Sequence, residues 1–460
     1  MKETTSWASS VTLVALCVYG MANVGCGAYS VPKSAATVAD LSISGSISPA
    51  TSGAGVTVTL GGDANATTTT DSSGNYSFNG LPVGSYTLTP SKMGLSFTPL
   101  SRQVTADTSI ARTNFTSSST IQQSAPIVIS GQNNTVIQGL KVSSTHGDCV
   151  KIFNSTNITI QNSEIGPCAG NGIKIVGGSG IKILDSYIHP ETMSPVCCDL
   201  NDGILAIKAT QSLWIQGNVI AYGESNVEIQ GGSGVTVIGN FLLNPRGPSP
   251  RGQNFQCWSN CSNVTVQNNY ALSSSDVTKY LYPEATVDSI SFGVSNGFIV
   301  QDNFVTGGHS VSGCGILADS FSNGGQILNN LLLDTGQCGI GIVDGSHIAQ
   351  QNKVYNQTPV SGSGNTAMYV AHYGHSSACG PITVTDNVAD EVKADGTHSG
   401  WWDPGTCGPI DISSDKFGLS ADSVLGAPAT FSTPLIPPQP KNCVVTSPYS
   451  TQTSAVPCTP

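Results

Sequence analysis

The sequence predicts an all-β chain, with short strands wound into a stack of about ten parallel coils behind a small β-sandwich. Three observations predict it. One phrase, an alternating strand that ends in a polar corner, returns along the chain. Residues 157–165 read Asn-Ile-Thr-Ile-Gln-Asn-Ser-Glu-Ile, residues 180–188 Gly-Ile-Lys-Ile-Leu-Asp-Ser-Tyr-Ile, and residues 235–242 Val-Thr-Val-Ile-Gly-Asn-Phe-Leu. Superposing the phrases brings Ser163, Ser186, Asn218, Asn240, Asn269, Asn303, Asn330, Asn352 and Asn387 to one place, with steps of 23, 32, 22, 29, 34, 27, 22 and 35 residues. The composition agrees: 52 of the 460 residues are Gly and only 10% are charged, which suits strands and tight turns.

A step with a floor of 22 and occasional longer values has a physical reading. A coil of three short strands cannot bury its apolar face alone, so coils must stack. Strands of successive coils then pair in parallel, about 4.8 Å apart. Equivalent Asn side chains stack at the corner and bond one another and the backbone. Asn also tolerates the left-handed conformation that a tight corner requires. Residues in excess of the floor must be loops. The alignment places them between the strand after the corner and the next coil's first strand, so they emerge on one side and wall a groove.

This repeat, over residues 125–415, resembles the right-handed parallel β-helix of the pectin-lyase-like superfamily. The resemblance implies the fold and leaves the activity open. That superfamily holds lyases, hydrolases, epimerases, esterases and tail-fibre or adhesin proteins.

The other segments follow in order. Residues 1–26 read as an export signal: Lys2, then an apolar run at 11–21 too short to span a bilayer as a stable helix. Residues 24–26, Val-Gly-Cys, resemble the end of a bacterial lipobox, which would make Cys26 a lipid anchor, although Asn23 stands where Leu is usual. Cleavage nearby without lipidation is the other reading. Either places the protein outside the cell or on the bacterial outer surface, with membrane contact only through Cys26. Residues 40–116 alternate strand-like runs (53–60, 71–78, 80–88) with Gly, Asn and Pro turns. Their pattern, Gly-x-Tyr-x-Phe followed by Leu-Pro-x-Gly-x-Tyr, resembles the carboxypeptidase-regulatory-like and Cna-B-like sandwiches, which implies a spacer on a secreted enzyme. Residues 117–124 read as a polar linker. Residues 416–460, rich in Pro, Ser and Thr, read as a tail that covers the open strand edge of the last coil.

Twelve cysteines lie beyond the signal, an even number in an exported chain, so disulfides are the default. Cys314 and Cys338 are 24 residues apart, at equivalent places in neighbouring coils. Cys257 with Cys261, Cys379 with Cys407, and Cys443 with Cys458 are further pairs. No His accompanies Cys at zinc-ligand spacing.

The first strands of the coils align as residues 148–153, 171–176, 202–207, 225–230, 253–258 and 288–293. Strand alternation sends Val150, Ile173, Ile204, Val227, Phe255 and Ile290 inward. Lys151, Lys174, Leu205, Glu228, Gln256 and Ser291 then form one outward row, and Phe153, Val176, Ile207, Gln230 and Trp258 the next. Asp148, Asn171 and Asp202 sit at the rim. Loops above this face carry His189, the arginines Arg246 and Arg251 among three prolines, and Lys279, Tyr280, Tyr282 and Glu284. With only 17 Lys and Arg in the chain, this clustering of cations points to an acidic ligand. Trp258 offers a flat surface for a sugar ring. The competing reading is that the arginines pair with carboxylates and brace the loops.

Two chemistries fit. In β-elimination a base takes the proton alpha to a uronate carboxylate while cations stabilise the developing enolate. Lys174 beside Lys151, one coil away at about 5 Å, serves that role, and Arg246 and Arg251 clamp the carboxylate. In hydrolysis two carboxylates flank the bond. Asp202 and Asp148, two coils apart at about 9.6 Å, or Glu228, supply them. The catalytic set is thus Lys174, Glu228, Asp202 and Arg251. The binding set is Arg246, Trp258, Gln256, Lys151, Asp148, His189 and Tyr280. On this reading alanine at Arg246 or Arg251 abolishes activity and leaves thermal stability nearly unchanged. The polygalacturonase motifs are absent as a set, as is the Arg-centred motif of pectate lyases, so the reaction stays open between lyase and hydrolase. A non-catalytic surface binder or adhesin is the rival class. The partner is a polysaccharide. The net charge of −11 argues against nucleic acid, and no cofactor is required, with Ca²⁺ compatible.

Overall fold

The computed structural model describes residues 41–92, 95–119, 121–190, 200–247, 251–273, 287–308, 313–356, 365–373, 379–393 and 395–418. The export signal, Tyr280, the Cys443–Cys458 pair and the tail from residue 419 lie outside them.

The first unit is a β-sandwich. One sheet runs in the order Asn75–Leu81, Leu41–Ser48, Phe115–Ser119, Leu95–Thr98, and the other in the order Ala66–Thr69, Thr57–Gly62, Gly84–Ser91, Arg102–Ala106. Alternation along each strand buries Ile43, Ile47, Val58, Leu60, Tyr86, Leu88 and Phe115 between the sheets. The expected linker is largely absorbed. Ser117–Ser119 complete a sandwich strand, and Gln122–Ser124 pair in parallel with the strand Leu140–Ser144 of the coils.

The coils follow. A 19-stranded sheet covers two faces and a 12-stranded sheet the third. In one coil the strands are Val150–Phe153, Thr159–Gln161 and Glu164–Cys168; in the next they are Ile173–Val176, Ser179–Leu184 and Tyr187–Ile188. All pairing between coils is parallel, and the register is the one read from the alignment. Val150 faces Ile173, then Ile204, Val227, Phe255 and Ile290, and all six are fully buried.

The corner row is a continuous ladder. From Ser186 onward, each backbone N–H donates to the side-chain oxygen of the equivalent residue one coil on: Asn218, Asn240, Asn269, Asn303, Asn330, Asn352 and Asn387, at 2.9–3.0 Å. Each Asn amide also donates to the next Asn oxygen and back to a strand carbonyl, as Asn269 Nδ2 does to Asn303 Oδ1 and to Val237 O. Every amide proton and lone pair needed is used, which allows these residues to be buried. The left-handed conformation falls one residue earlier than expected. Asn162, Asp185, Gly217, Gly239, Asn268, Asp302, Asn329, Gln351 and Asp386 have φ between 45° and 68°, and each precedes a ladder residue.

The repeat reaches further than its sequence pattern. Asn387 N and Nδ2 donate to Asp415 Oδ1 at 2.7 and 2.8 Å, and Lys416–Phe417 pair with Val388–Ala389. Asp415 accepts and has no amide to pass on, so it suits the last rung. Most long insertions enter where the alignment put them. One break does not: Thr366–Ala371 and Cys379–Thr385, the first and second strands of one coil, are separated by seven residues of sequence.

Three expected disulfides are present: Cys314–Cys338, Cys257–Cys261 and Cys379–Cys407, with Cα–Cα distances of 4.6, 6.2 and 5.2 Å. A fourth, Cys149–Cys168, was not read from the sequence. Its two residues lie at opposite ends of one coil rather than at equivalent places in two.

The ladder predicts a contrast between neighbours. Asn269→Ala orphans several buried groups at about 1–3 kcal/mol each, so a loss of about 3 kcal/mol or more is expected in urea unfolding. Asn268→Gly keeps the positive φ at an exposed position and should change stability by less than about 0.5 kcal/mol.

Candidate functional site

The outward rows of the first face are as aligned: Lys151, Lys174, Leu205, Glu228, Gln256 and Ser291 are in register, with Phe153, Val176, Ile207, Gln230 and Trp258 beside them. The chemistry along these rows differs from the expectation in two respects.

The rim residues bond the backbone. Asp148 Oδ1 accepts the Asn171 N–H (2.8 Å) and amide (2.9 Å). Asn171 Oδ1 accepts the Asp202 N–H, and Asp202 Oδ1 the Ser225 N–H. This is a second side-chain ladder, and Asp202 is wholly buried within it. In this ladder one carboxylate oxygen is committed to the backbone, at Asp202 and equally at Asp288, whose Oδ1 accepts the Cys314 N–H at 2.8 Å.

Two of the cations, Lys151 and Arg251, have carboxylate partners. Lys151 Nζ lies 3.4 Å from Asp148 Oδ2. Arg251 Nε lies 2.8 Å from Glu228 Oε2, with both side chains buried. Glu228 Oε1 accepts from Trp258 Nε1 (3.3 Å) and Gln230 Nε2 (3.0 Å), and the Arg251 guanidinium lies 5.6 Å from the centre of the Trp258 ring. Arg246 is likewise buried, its N–H on Gly223 O. The structure therefore joins Glu228, Arg251, Trp258 and Gln230 in one cluster, in which the arginine braces a buried acid. Lys174 is half-buried in the row beside Lys151, and Gln256 lies between Glu228 and Ser291.

His189 belongs to another face. It follows the third-sheet strand Tyr187–Ile188, stacks on Tyr187 at 4.0 Å and lies 3.4 Å from Glu164 Oε1, which also meets Lys141 Nζ. Burial raises the Glu164 pKa, but its bonds with His189 and Lys141 outweigh that, so Glu164 sits below the usual carboxylate range.

The outward row continues where the sequence alignment stopped. Beyond Ser291 it runs through Leu317, Gly341, Tyr369 and Trp402. Gly341 has no side chain for a steric reason: a Cβ there would lie 2.7 Å from Leu317 Cδ1 and from Tyr369 Cε1 and Cζ. The Tyr369 ring thus lies across Gly341 toward Leu317, in the field of two acids, Asp288 and Asp319. Burial pushes Asp288 up to about 7, against hydrogen bonds from Cys314 N–H and the Ser291 side chain, and the charge of Asp319 raises it further. Burial holds the Tyr369 hydroxyl far above the ordinary phenol range, followed by Tyr373, Asp288 and Asp319. Around this floor stand exposed aromatics: Trp258 (40% exposed), Trp402 (45%) and Tyr373 (51%). Asp288, Asp319 and Tyr369 were not among the sequence candidates. Continuing the strand alignment past residue 293 would have shown the row.

Among the described residues one group has metal-capable atoms within 4.8 Å of one another: Asp344, His372 and Cys379. Cys379 is bonded to Cys407, leaving a carboxylate and an imidazole, too few donors for zinc and the wrong set for calcium.

The chain is a right-handed β-helix with an N-terminal β-domain. Residues 42–117 match the carboxypeptidase regulatory-like domain and residues 125–213 the right handed beta helix region. No curated protein sequence matches the chain. Among solved structures it is similar to a surface adhesin of Streptococcus pneumoniae (14% identity, 58% of this chain and 64% of that one, TM-score 0.37). It is also similar to the catalytic unit of an α-1,3-glucanase from Streptomyces thermodiastaticus (12%, 56% and 49%, 0.34) and to the A-module of a mannuronan C-5 epimerase from Azotobacter vinelandii (13%, 62% and 64%, 0.32). The match spans less than two thirds of each of these chains, and likenesses this distant say nothing of activity.

The Arg251–Glu228 pair changes the expected outcome of mutation. Arg251→Ala removes a guanidinium paired with the buried Glu228 and should cost about 3–5 kcal/mol in chemical unfolding. Combining it with Glu228→Gln should recover much of that loss. Equal instability of the single and double variants would show that the charge pair is not what Arg251 contributes.

Proposed function

We propose that this face binds a polysaccharide and hydrolyses it, with Asp288 as general acid and Asp319 as general base. The reading is supported by Asp288, a buried acid whose pKa is raised by burial and by the charge of Asp319, near a floor edged by exposed tryptophans. Glycoside hydrolysis uses two such acids: one gives a proton to the departing glycosidic oxygen and the other accepts one from the attacking water. Tyr369, in the field of both acids and hydrogen-bonded to Tyr373, stays protonated. Elimination on a uronate is less favoured, because Lys151 and Arg251 already face carboxylates of the protein. Four disulfides support a location outside a reducing cytosol, and the sandwich is read as a spacer.

A panel of neutral and acidic polysaccharides, followed by reducing ends and by ultraviolet absorbance of unsaturated products, tests the reading. Reducing ends alone support it. Unsaturated products would replace it with a lyase, and binding without products would make the protein a non-catalytic adhesin. Asp288→Asn and Asp319→Asn should each lower turnover by about 10²–10⁴-fold.

The acid role sets the sign of the pH response. Turnover should fall as pH rises through about 7, because Asp288 then loses the proton it must give. Its raised pKa also adds stability that is fully present below 3.8 and lost as pH rises through about 7. Glu391, raised to about 8 first by burial, titrates in an overlapping window. Comparing Asp288→Asn with the parent by urea unfolding at about pH 5 and about pH 8 isolates the Asp288 share: the parent should lose more stability than the variant.

A further inference from the structure

The placement of the two tryptophans goes beyond the hydrolytic reading and rests on it. We propose that the ligand is an extended, uncharged polysaccharide lying along the stacking axis, held on Trp258 at one end and Trp402 at the other, and cut between them.

The span comes from the register. The strands Phe255–Trp258, Ile290–Phe292, Cys314–Ala318, Cys338–Val343, Thr366–Ala371 and Trp401–Trp402 pair one with the next. Five steps of about 4.8 Å separate the tryptophans by roughly 24 Å, longer than one or two sugar rings. The acids lie inside this interval: Asp288 precedes the second strand and Asp319 follows the third.

The platforms are of a kind that takes sugar faces. Trp258 has its indole N–H on Glu228 and the Arg251 guanidinium near its ring, yet it remains 40% exposed. A ring whose polar edge is already satisfied recognises by stacking, and one fixed in advance loses little entropy on binding. Trp402 meets Tyr369 edge-on, with centroids 6.0 Å apart, and is 45% exposed. Ser291, Leu317, Gly341 and Tyr369 form the row that ends at Trp402, and Trp258 stands in the row beside it, two residues along its strand from Gln256.

The charge of the floor selects against acidic chains. On these six strands and the residues that follow them, Asp319, Asp344 and Asp403 are present with His372, and neither Lys nor Arg occurs among the described residues. A uronate carboxylate placed there would face the Asp319 carboxylate with no Lys or Arg on these described strands to offset it. This reverses the acidic ligand suggested by counting cations, which lie toward the earlier coils or face carboxylates of the protein.

The test uses the full chain carrying Asp288→Asn. Oligosaccharides of graded length, prepared from the neutral polysaccharide that the parent protein cleaves, are titrated calorimetrically. Affinity should rise with length until the ligand spans both tryptophans. Trp258→Ala and Trp402→Ala should each weaken long ligands about tenfold or more and leave the weak binding of disaccharides unchanged, while Trp258→Phe and Trp402→Phe restore most of the loss. The parent should release a spread of oligomers from the outset. Affinity that saturates at a disaccharide, release of one sugar at a time, or tighter binding of polygalacturonate or alginate than of neutral chains would overturn the proposal while leaving hydrolysis at Asp288 intact. If no neutral polysaccharide is cut, affinity electrophoresis in xylan, mannan and glucan gels tests the platforms alone. Retardation lost in both alanine variants supports them, and no retardation of the parent overturns the proposal together with the hydrolytic reading.

Discussion

The bond from a corner N–H to a side-chain oxygen one coil further on is the constraint on which this molecule depends. A coil has no antiparallel partner and no closed barrel to satisfy its edges, so its polar groups are matched only by the coils on either side. The ladder from Ser163 to Asp415 does this at a buried corner, where every unpaired group would be costly. It also pins register. A slip of one residue would turn the inward row of Val150, Ile173 and Ile204 outward and leave the corner amides unmatched. Because register is held along the stack, residues far apart in sequence fall into straight rows, and a functional face can be assembled from one or two side chains per coil.

That face divides by how its charges are compensated. Toward the earlier coils, cation and carboxylate come in matched pairs, Lys151 with Asp148 and Arg251 with Glu228. A buried pair of this kind adds little net stability, but removing one partner strands the other, so such residues act as braces. Toward the later coils Asp288 and Asp319 share a neighbourhood in which no Lys or Arg is described. Burial without a counter-ion is relieved by keeping a proton, and a retained proton is what a general acid needs. Glu228 and Asp288 are both buried acids; the difference in their surroundings is a guanidinium.

The braces serve the site at one remove. Glu228 anchors the Trp258 indole, and Arg251 lies near its ring, so the ring is presented in a fixed pose. Strands make a more exact support than loops, and here the platforms and the row between them all stand on paired strands of one sheet.

The sequence by itself determined the coil. The Asn corners, the floor in their spacing and the two-residue alternation identified the inward core, the outward rows and the Cys314–Cys338 disulfide, because each follows from local periodicity, and a parallel stack repeats local periodicity without change. The last coil was harder to read, since its corner residue is Asp415 in place of Asn. Only the tertiary structure decided which polar residues are engaged. Asp202, Glu228 and Arg251 look like chemistry in a row of letters, and become ladder and ion pair once backbone N–H groups and neighbouring side chains are set beside them. Asp288, Asp319 and Tyr369 are dispersed over eighty residues of chain, and the Tyr369 ring reaches across a strand toward the coils of the two acids because Gly341 leaves it room. Periodicity specifies direction; compensation of charge and the space left by an absent side chain are properties of neighbours, and neighbours three coils apart are visible only in the fold.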